Sequence, residues 1–289
     1  MEEKKIEFSS GDIPFIKVEG RGLPEVWEKS LVETWEKGVE IKTQYDKPND
    51  PSSKDCTMIM VFHDPFIEPR IHRALPTGLD ELETYRQEVV LGIHDHWIGA
   101  HGWSYSYHDR LFRYPVSSEE HVTTVGFKNQ IEAIIENLIQ CFYTRRAQAI
   151  TWNPEFDIHS DEPPCLQRIW CRILEDPQKG LVLNMNTHWR SRDAYKAAFM
   201  NVFALTDLMK FIAHEVSKII GKPVKVGRYV DISDSYHIYG SYFDQFKGFL
   251  ETLKVKTFEE RTFTSEFAEP FFEEIREKLL KNPDYIFHK

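Results

Sequence analysis

The chain has 289 residues, with 36 Lys+Arg against 46 Asp+Glu, a net charge of -10, 41% hydrophobic and 13% aromatic content. That is enough apolar chain for a sizeable core, which excludes a mainly disordered protein. No apolar run approaches the ~18–20 residues of a bilayer span, and the acidic balance argues against DNA or RNA as the main partner, although a local Arg cluster can still hold a small anion.

Met1-Glu2-Glu3-Lys4-Lys5 lacks the apolar stretch of a secretion signal. Cys56, Cys141, Cys165 and Cys171 show no zinc-knuckle spacing, so a reduced cytoplasmic chain without a metal is expected. The first 20 residues read as a mobile lead-in. Pro24 to Lys37 reads as a helix, with Trp27, Leu31 and Trp35 at i, i+4 and i+8 and Gly38 as its stop. Strands are expected at 39–43 and 56–62, separated by the polar loop 46–53. Thr77-Gly78-Leu79-Asp80 resembles a capping box ahead of a helix through Leu82, Tyr85 and Val89. A second helix is expected from Asn129 to Phe142. Leu166 to Leu174 and Leu181 to His188 read as strands, the latter placing Leu181, Leu183, Met185 and Thr187 on one face. Ala194 to Ile219 reads as a long helix apolar on nearly all sides, hence buried. Strands near 223–231 and 235–239 and helices near 241–253 and 266–281 finish the chain. Strands and helices mix without strict alternation, so the fold class is α+β, one domain over 1–289, with a mixed sheet, flanking helices and a buried long helix.

The most informative segment for chemistry is Asp161-Glu162-Pro163-Pro164-Cys165-Leu166. Two prolines hold Cys165 at a rigid turn at a strand entrance, which presents the thiol at a sheet edge. A free thiol is mostly protonated at neutral pH and needs a cationic setting to become a ready nucleophile. Arg145, Arg146, Arg168, Arg172, Arg190 and Arg192 are near in sequence. A buried, inert Cys165 is equally compatible with this context. Arg145-Arg146 precedes the strand-like run Ala147 to Trp152, and a turn position would let the pair clamp a phosphate or simply form a solvated edge. His188-Trp189-Arg190-Ser191-Arg192-Asp193 falls where a strand ends and the long helix is expected to begin, a place for phosphate binding, for capping, or for both. Asn201, inside the apolar helix, either bonds within the core or reads a ring edge with adjacent donor and acceptor. His237 and Tyr239 share one strand face and could hold a sugar hydroxyl.

These pieces occur together and in order, and their combination resembles the thymidylate synthase superfamily, from about Ile131 to Tyr239. The segments carrying the resemblance are Arg145-Arg146 with Ile150-Thr151-Trp152-Asn153-Pro154, Pro163-Pro164-Cys165, Arg190-Ser191 with Asp193, Phe199-Met200-Asn201, and His237-Ile238-Tyr239. Trp103 to Phe112 and Trp189 to Asn201 look like the divergent archaeal-type branch. The resemblance implies a homodimer packed sheet to sheet, with dUMP as substrate and 5,10-methylene-tetrahydrofolate, or another C1-carrying pterin, as co-substrate. Cys165 would be the nucleophile at C6 of dUMP. Arg190 would contact phosphate and depress the Cys165 pKa, and Ser191 would bind phosphate. Arg145 and Arg146 would reach the phosphate in the neighbouring subunit. Asn201 would bond the uracil edge and stabilise charge at O4. His237 and Tyr239 would hold the 3′-hydroxyl, and Asp193 would contact the pterin.

Glu88, by helix context, is the candidate for the family's proton-moving Glu, or else a solvated helix carboxylate. Tyr107 is the candidate for the Tyr that assists proton removal at C5. Lys47 could replace the family's first phosphate Arg. Arg192 stands where the family usually has Cys, and Asp234-Ser235-Tyr236 replaces the usual Gly-Asp ahead of His237. The C-terminal residues 282–289 offer no clear counterpart of the tail that closes over folate. Entry of water would turn a methyl product into a hydroxymethyl one, so a dUMP or dCMP 5-hydroxymethylase of the same superfamily is the alternative. Asn201 favours uracil over cytosine. A non-catalytic nucleotide- or RNA-binding relative has no chemical need for Cys165, Arg190 and Asn201 together.

Overall fold

The computed structural model describes residues 11–118, 121–282 and 284. The chain opens with β1 (Phe15–Gly20), α1 (Leu23–Lys37), β2 (Val39–Ile41), β3 (Ser53–Phe62), β4 (Ile71–His72) and α2 (Gly78–Leu91). The middle holds α3 (Tyr107–Phe112), β5 (Tyr114–Ser118), β6 (His121–Lys128), α4 (Gln130–Gln140), β7 (Gln148–Ile150) and α5 (Pro154–Asp157). Then come β8 (Leu166–Asp176), β9 (Gly180–Trp189), β10 (Arg192–Asp193), α6 (Ala198–Ile220), β11 (Val224–Ile238), α7 (Phe243–Val255), β12 (Thr262–Phe263) and α8 (Ser265–Lys281).

The main sheet has eight strands in the order β1-β3-β11-β9-β8-β7, with β2 beside β3 and β10 beside β11. It is mixed: β1 runs parallel to β3 and β9 to β11, while β11–β3, β8–β9 and β7–β8 are antiparallel. The α+β expectation therefore holds. Long α6 is the core helix: Ala198, Phe199, Val202, Phe203, Leu205, Leu208, Met209, Ile212 and Val216 are all buried. Burial on nearly every side requires the apolar content read from its sequence. Trp27 of α1 packs edge-on against Phe199 and Phe249, and its indole N–H donates to the Ala194 carbonyl at 2.9 Å. Among the described residues no helix is long and apolar enough to cross a membrane.

Four local expectations are corrected. Residues 15–20 are not a mobile lead-in but β1, paired along its whole length with β3 from Phe15–Thr57 to Gly20–Phe62; residues 1–10 lie outside the described residues. Thr77 does not cap α2: its hydroxyl contacts the Met200 sulfur at 3.1 Å, and its backbone is already helical. The long helix starts at Ala198 rather than Ala194, because Arg192–Asp193 first adds to β11 as the short parallel strand β10. The two strands expected over 223–239 are one strand, β11, whose register shifts between Val226 and Tyr229 and again between Ser233 and Tyr236. The second shift ends the alternation of burial. Tyr229, Asp231 and Ser233 are buried before it, and Tyr236, His237 and Ile238 in succession after it.

Candidate active site

The ends of β8 and β9 and the short strand β10 build the site. The antiparallel register of β8 and β9 sets Leu166 opposite Trp189. Cys165, just before β8, and Arg190, just after β9, are therefore neighbours despite their separation in sequence, and the Arg190 N–H donates to the Cys165 carbonyl at 2.9 Å. The Arg190 side chain folds back over the proline turn. Its Nε donates to Pro164 O at 3.0 Å, and its Nη2 donates to Pro163 O at 2.6 Å and lies 3.6 Å from Cys165 Sγ. Next, β10 lays Asp193 beside His237 of β11. The first turn of α6 then delivers Asn201.

These residues converge on a cavity of about 420 Å³ lined by Cys165, Arg190, Ser191, Arg192, Asp193, Asn201, Tyr107, His237 and Tyr239, with Tyr45, Tyr85, Tyr105, Glu162 and Trp189 among the rest. A second cavity of about 310 Å³ shares Tyr85, Tyr105, Tyr107 and Glu162 with it and adds Glu88, Val89 and Trp103. Of the residues singled out in the sequence, Lys47, Arg145, Arg146, Arg168 and Arg172 line neither cavity. The 43–52 loop contributes Tyr45 to the wall in place of Lys47. Arg145 and Arg146 sit exposed at a turn ahead of β7. Because Gln148 pairs with Trp170, five residues along β8 from Cys165, they lie on the order of 15 Å or more away.

The cysteine is less acidic than its arginines suggest. Burial pushes the Cys165 thiol up, and Arg190 and then Arg192 pull it back without fully compensating. The expected depression by Arg190 is therefore outweighed by desolvation. Burial also raises Asp193 to about 6, against the Lys196 and Tyr195 N–H groups that donate to it at 2.9 and 3.0 Å. Tyr107 is held well above the usual phenol range by burial, and its hydroxyl lies 3.4 Å from the Leu166 N–H. Glu88 is no solvated helix carboxylate: its Oε1 pairs with His94 Nδ1 at 2.7 Å, while His94 stacks at 3.7 Å on Trp97.

His237 is 4% exposed, and burial lowers its pKa to about 4, so the ring is neutral at physiological pH. Its Nδ1 lies 3.2 Å from Ser235 Oγ, which itself donates to Asp55 Oδ2 at 2.6 Å. With the serine proton committed to the carboxylate, the imidazole proton must sit on Nδ1. That leaves Nε2, buried and without a partner among the described residues, as a bare acceptor. Asp55 is itself pushed up to about 6 by burial.

The sequence missed the polar group beneath the cavity. Arg192 and Asp231 form an ion pair with both side chains essentially inaccessible. Asp231 Oδ2 also accepts from Thr187 at 2.9 Å, Tyr229 at 2.9 Å and Trp189 Nε1 at 3.1 Å. Arg192 Nε donates to Asn201 Oδ1 at 3.2 Å, and Asn201 Nδ2 donates to the Tyr85 hydroxyl at 2.6 Å. A charged residue in the apolar alternation of Tyr229-Val230-Asp231-Ile232 was the available signal, because buried carboxylates are rare without a partner.

Comparison with known proteins shows the family of the chain. The family model described as thymidylate synthase matches residues 78–275. A Methanocaldococcus jannaschii protein provisionally named as a thymidylate synthase is 34% identical over 175 residues, covering 59% of this chain and 68% of its own. Provisionally named thymidylate synthases of Methanococcoides burtonii and Methanosarcina mazei are 25% and 26% identical, covering 82% and 81% of this chain and 95% and 90% of theirs. Among solved structures, the thermostable thymidylate synthase A of Bacillus subtilis superposes with a TM-score of 0.55 at 14% identity, covering 78% of this chain and 83% of that one, a likeness of fold. With the matched span running from α2 into α8 and enclosing Cys165, Arg190, Asn201 and His237, the chain belongs to the thymidylate synthase family.

Proposed function

We propose that the chain is a thymidylate synthase that converts dUMP to dTMP with 5,10-methylene-tetrahydrofolate, through a covalent bond from Cys165 to C6 of the pyrimidine. The observation that supports this most directly is a half-buried thiol 3.6 Å from a guanidinium, on the wall of a nucleotide-sized cavity that also holds the Asn201 amide. Addition of sulfur to C6 makes C5 an enolate carbon able to attack an electrophile. Burial holds the thiol proton in the free protein, so the proton passes to water in the cavity as the carbon–sulfur bond forms; the electron pair of the C5–C6 double bond moves toward O4, and the Arg190 N–H steadies the thiolate charge that develops on sulfur. Asn201 Nδ2 donates toward O4, where the enolate charge accumulates. Glu88, oriented by His94, moves protons at O4 and C5 through water, and Tyr107 assists removal of the C5 proton.

Arg190 and Ser191 take the phosphate, and Arg145 and Arg146 of the partner subunit complete its shell. Their distance from the cavity of their own chain fits a homodimer with shared sites. His237 Nε2 accepts the 3′-hydroxyl beside Tyr239. The second cavity, with the Trp103 and Tyr85 rings and the carboxylate of Glu88, suits the flat, polar-edged ring of a pterin, whereas Asp193 lines the first cavity and would meet the pterin only where the folate reaches into it. The folate supplies the one-carbon unit and the reducing equivalents. The chain then acts as one cytoplasmic catalytic domain. Incubation with dUMP and methylene-tetrahydrofolate, followed by mass analysis of the nucleotide, tests the reading. The expected product is dTMP, lost in Cys165→Ala. A 5-hydroxymethyl product would move the chain to the hydroxymethylases, and an unmodified nucleotide without a Cys165 adduct would refute the reading.

A further inference from the structure

The two ends of the Asn201 amide are not interchangeable, and Arg192 is the cause. A guanidinium donates and never accepts, so the end of Asn201 that lies 3.2 Å from Arg192 Nε must be the oxygen. The amide nitrogen is thereby turned to the Tyr85 hydroxyl, on the cavity wall. Arg192 cannot swing aside. Its Nη1 is paired with Asp231, its Nη2 donates to the Ala198 carbonyl at 2.9 Å, and its guanidinium lies 4.3 Å from the centre of the Trp189 ring. Asp231 is fixed in turn by Thr187, Tyr229 and Trp189.

We infer that the buried Arg192–Asp231 pair is a positioning device that locks Asn201 in the orientation that reads a 4-keto pyrimidine and rejects a 4-amino one. This rests on the proposed nucleotide reading of the cavity. In the locked orientation an amide N–H faces a ring carbonyl at C4, and the second lone pair of Oδ1 faces the N3–H beside it. A cytosine edge is the complement, with an amino donor at C4 and a bare N3. Matching it requires Asn201 to turn over, which sets its N–H₂ against the Arg192 N–H. Two donors then face each other in a buried setting where neither finds an acceptor. Discrimination is therefore built beneath the ring-reading residue as well as in it, and Arg192 acts through Asn201.

The test measures dUMP and dCMP affinities by calorimetry on the full-length protein. Wild type is expected to prefer dUMP. In Arg192→Gln/Asp231→Asn the charges are removed together and hydrogen-bonding groups remain. A glutamine amide can present oxygen or nitrogen, so Asn201 becomes free to turn. The dUMP-to-dCMP affinity ratio is expected to fall by about tenfold or more, chiefly through gain of dCMP binding. Arg192→Lys, whose ammonium also only donates, is expected to keep the wild-type preference. An unchanged ratio in the folded double variant overturns the inference. So does a fall caused only by lost dUMP affinity, which a purely structural role would give. Should the double variant not fold, wild type decides the matter. Slow solvent exchange of the Arg192 Nε–H with dUMP bound supports the lock, and exchange as fast as that of a free guanidinium overturns it. Wild type that binds neither nucleotide refutes the nucleotide reading and the inference with it, a result distinct from all the others.

Discussion

Asp55→Asn should change how stability depends on pH, by an amount that follows from the Asp55–Ser235–His237 chain. Burial raises Asp55 from its ordinary 3.8 to about 6. A carboxyl with a raised folded pKa binds its proton more tightly folded than unfolded, so it adds stability as pH falls through 6 and has lost that contribution above it. Between pH 7.5 and 5 the gain comes to about 1.4 kcal/mol. His237 works in the opposite sense. Its folded pKa, lowered to about 4, means the unfolded ring takes up a proton first, so stability is lost as pH falls below the ordinary value of 6.5, by about 2 kcal/mol at pH 5. In the wild type the two largely cancel. Asparagine at 55 can still accept the Ser235 hydroxyl but cannot titrate, so the acid loss from His237 is left unopposed. Urea unfolding of both proteins at pH 7.5, 6 and 5 reads this directly. The stability of Asp55→Asn relative to wild type is expected to drop by about 1.4 kcal/mol across that range. A difference independent of pH would show that Asp55 titrates near 3.8 and that the relay to His237 is misread.

Glu88→Gln keeps the size of the side chain and its contact with His94 but removes the proton acceptor. It is expected to lower kcat by about 100-fold with dUMP affinity within a few-fold of wild type; an equal loss in both would make Glu88 a binding group. Iodoacetamide should alkylate Cys165 with an apparent pKa above that of an ordinary thiol, since burial dominates in the free protein, and dUMP should protect it. Reaction at full rate near pH 7 would contradict the electrostatics. Mixing Cys165→Ala with Arg145→Ala protein should restore activity in hybrid dimers that retain one intact site. Absence of any recovery would count against sites shared between subunits.

Much of the frame could be read from local patterns. The alternation from Leu181 to Thr187 is β9, and the apolar run after Ala198 is the core helix, because both depend only on which faces are buried. The break expected between two strands at 231–235 was misleading for a physical reason. Asp231, Ser233, Asp234 and Ser235 have turn composition, yet Asp231 is polar because it answers Arg192, and Ser235 because it answers Asp55. Both partners lie far away in sequence. The closeness of Cys165 and Arg190 was legible because strand ends bring them together through regular antiparallel pairing. The orientation of Asn201, the tautomer of His237 and the net rise of the Cys165 pKa were not, since each depends on what a third residue does in the folded core.

Arg190 has a further consequence for how the site meets its ligand. Its Nε and Nη2 already hold the Pro163–Pro164 turn and the sulfur, whereas Nη1 has no partner among the described residues. An incoming oxyanion can therefore dock on the open prong without dislodging the grip on the loop. Under the proposed function, substrate capture and thiol alignment are then independent tasks of a single planar fork. A lysine, with one point of charge, could not carry out both at once.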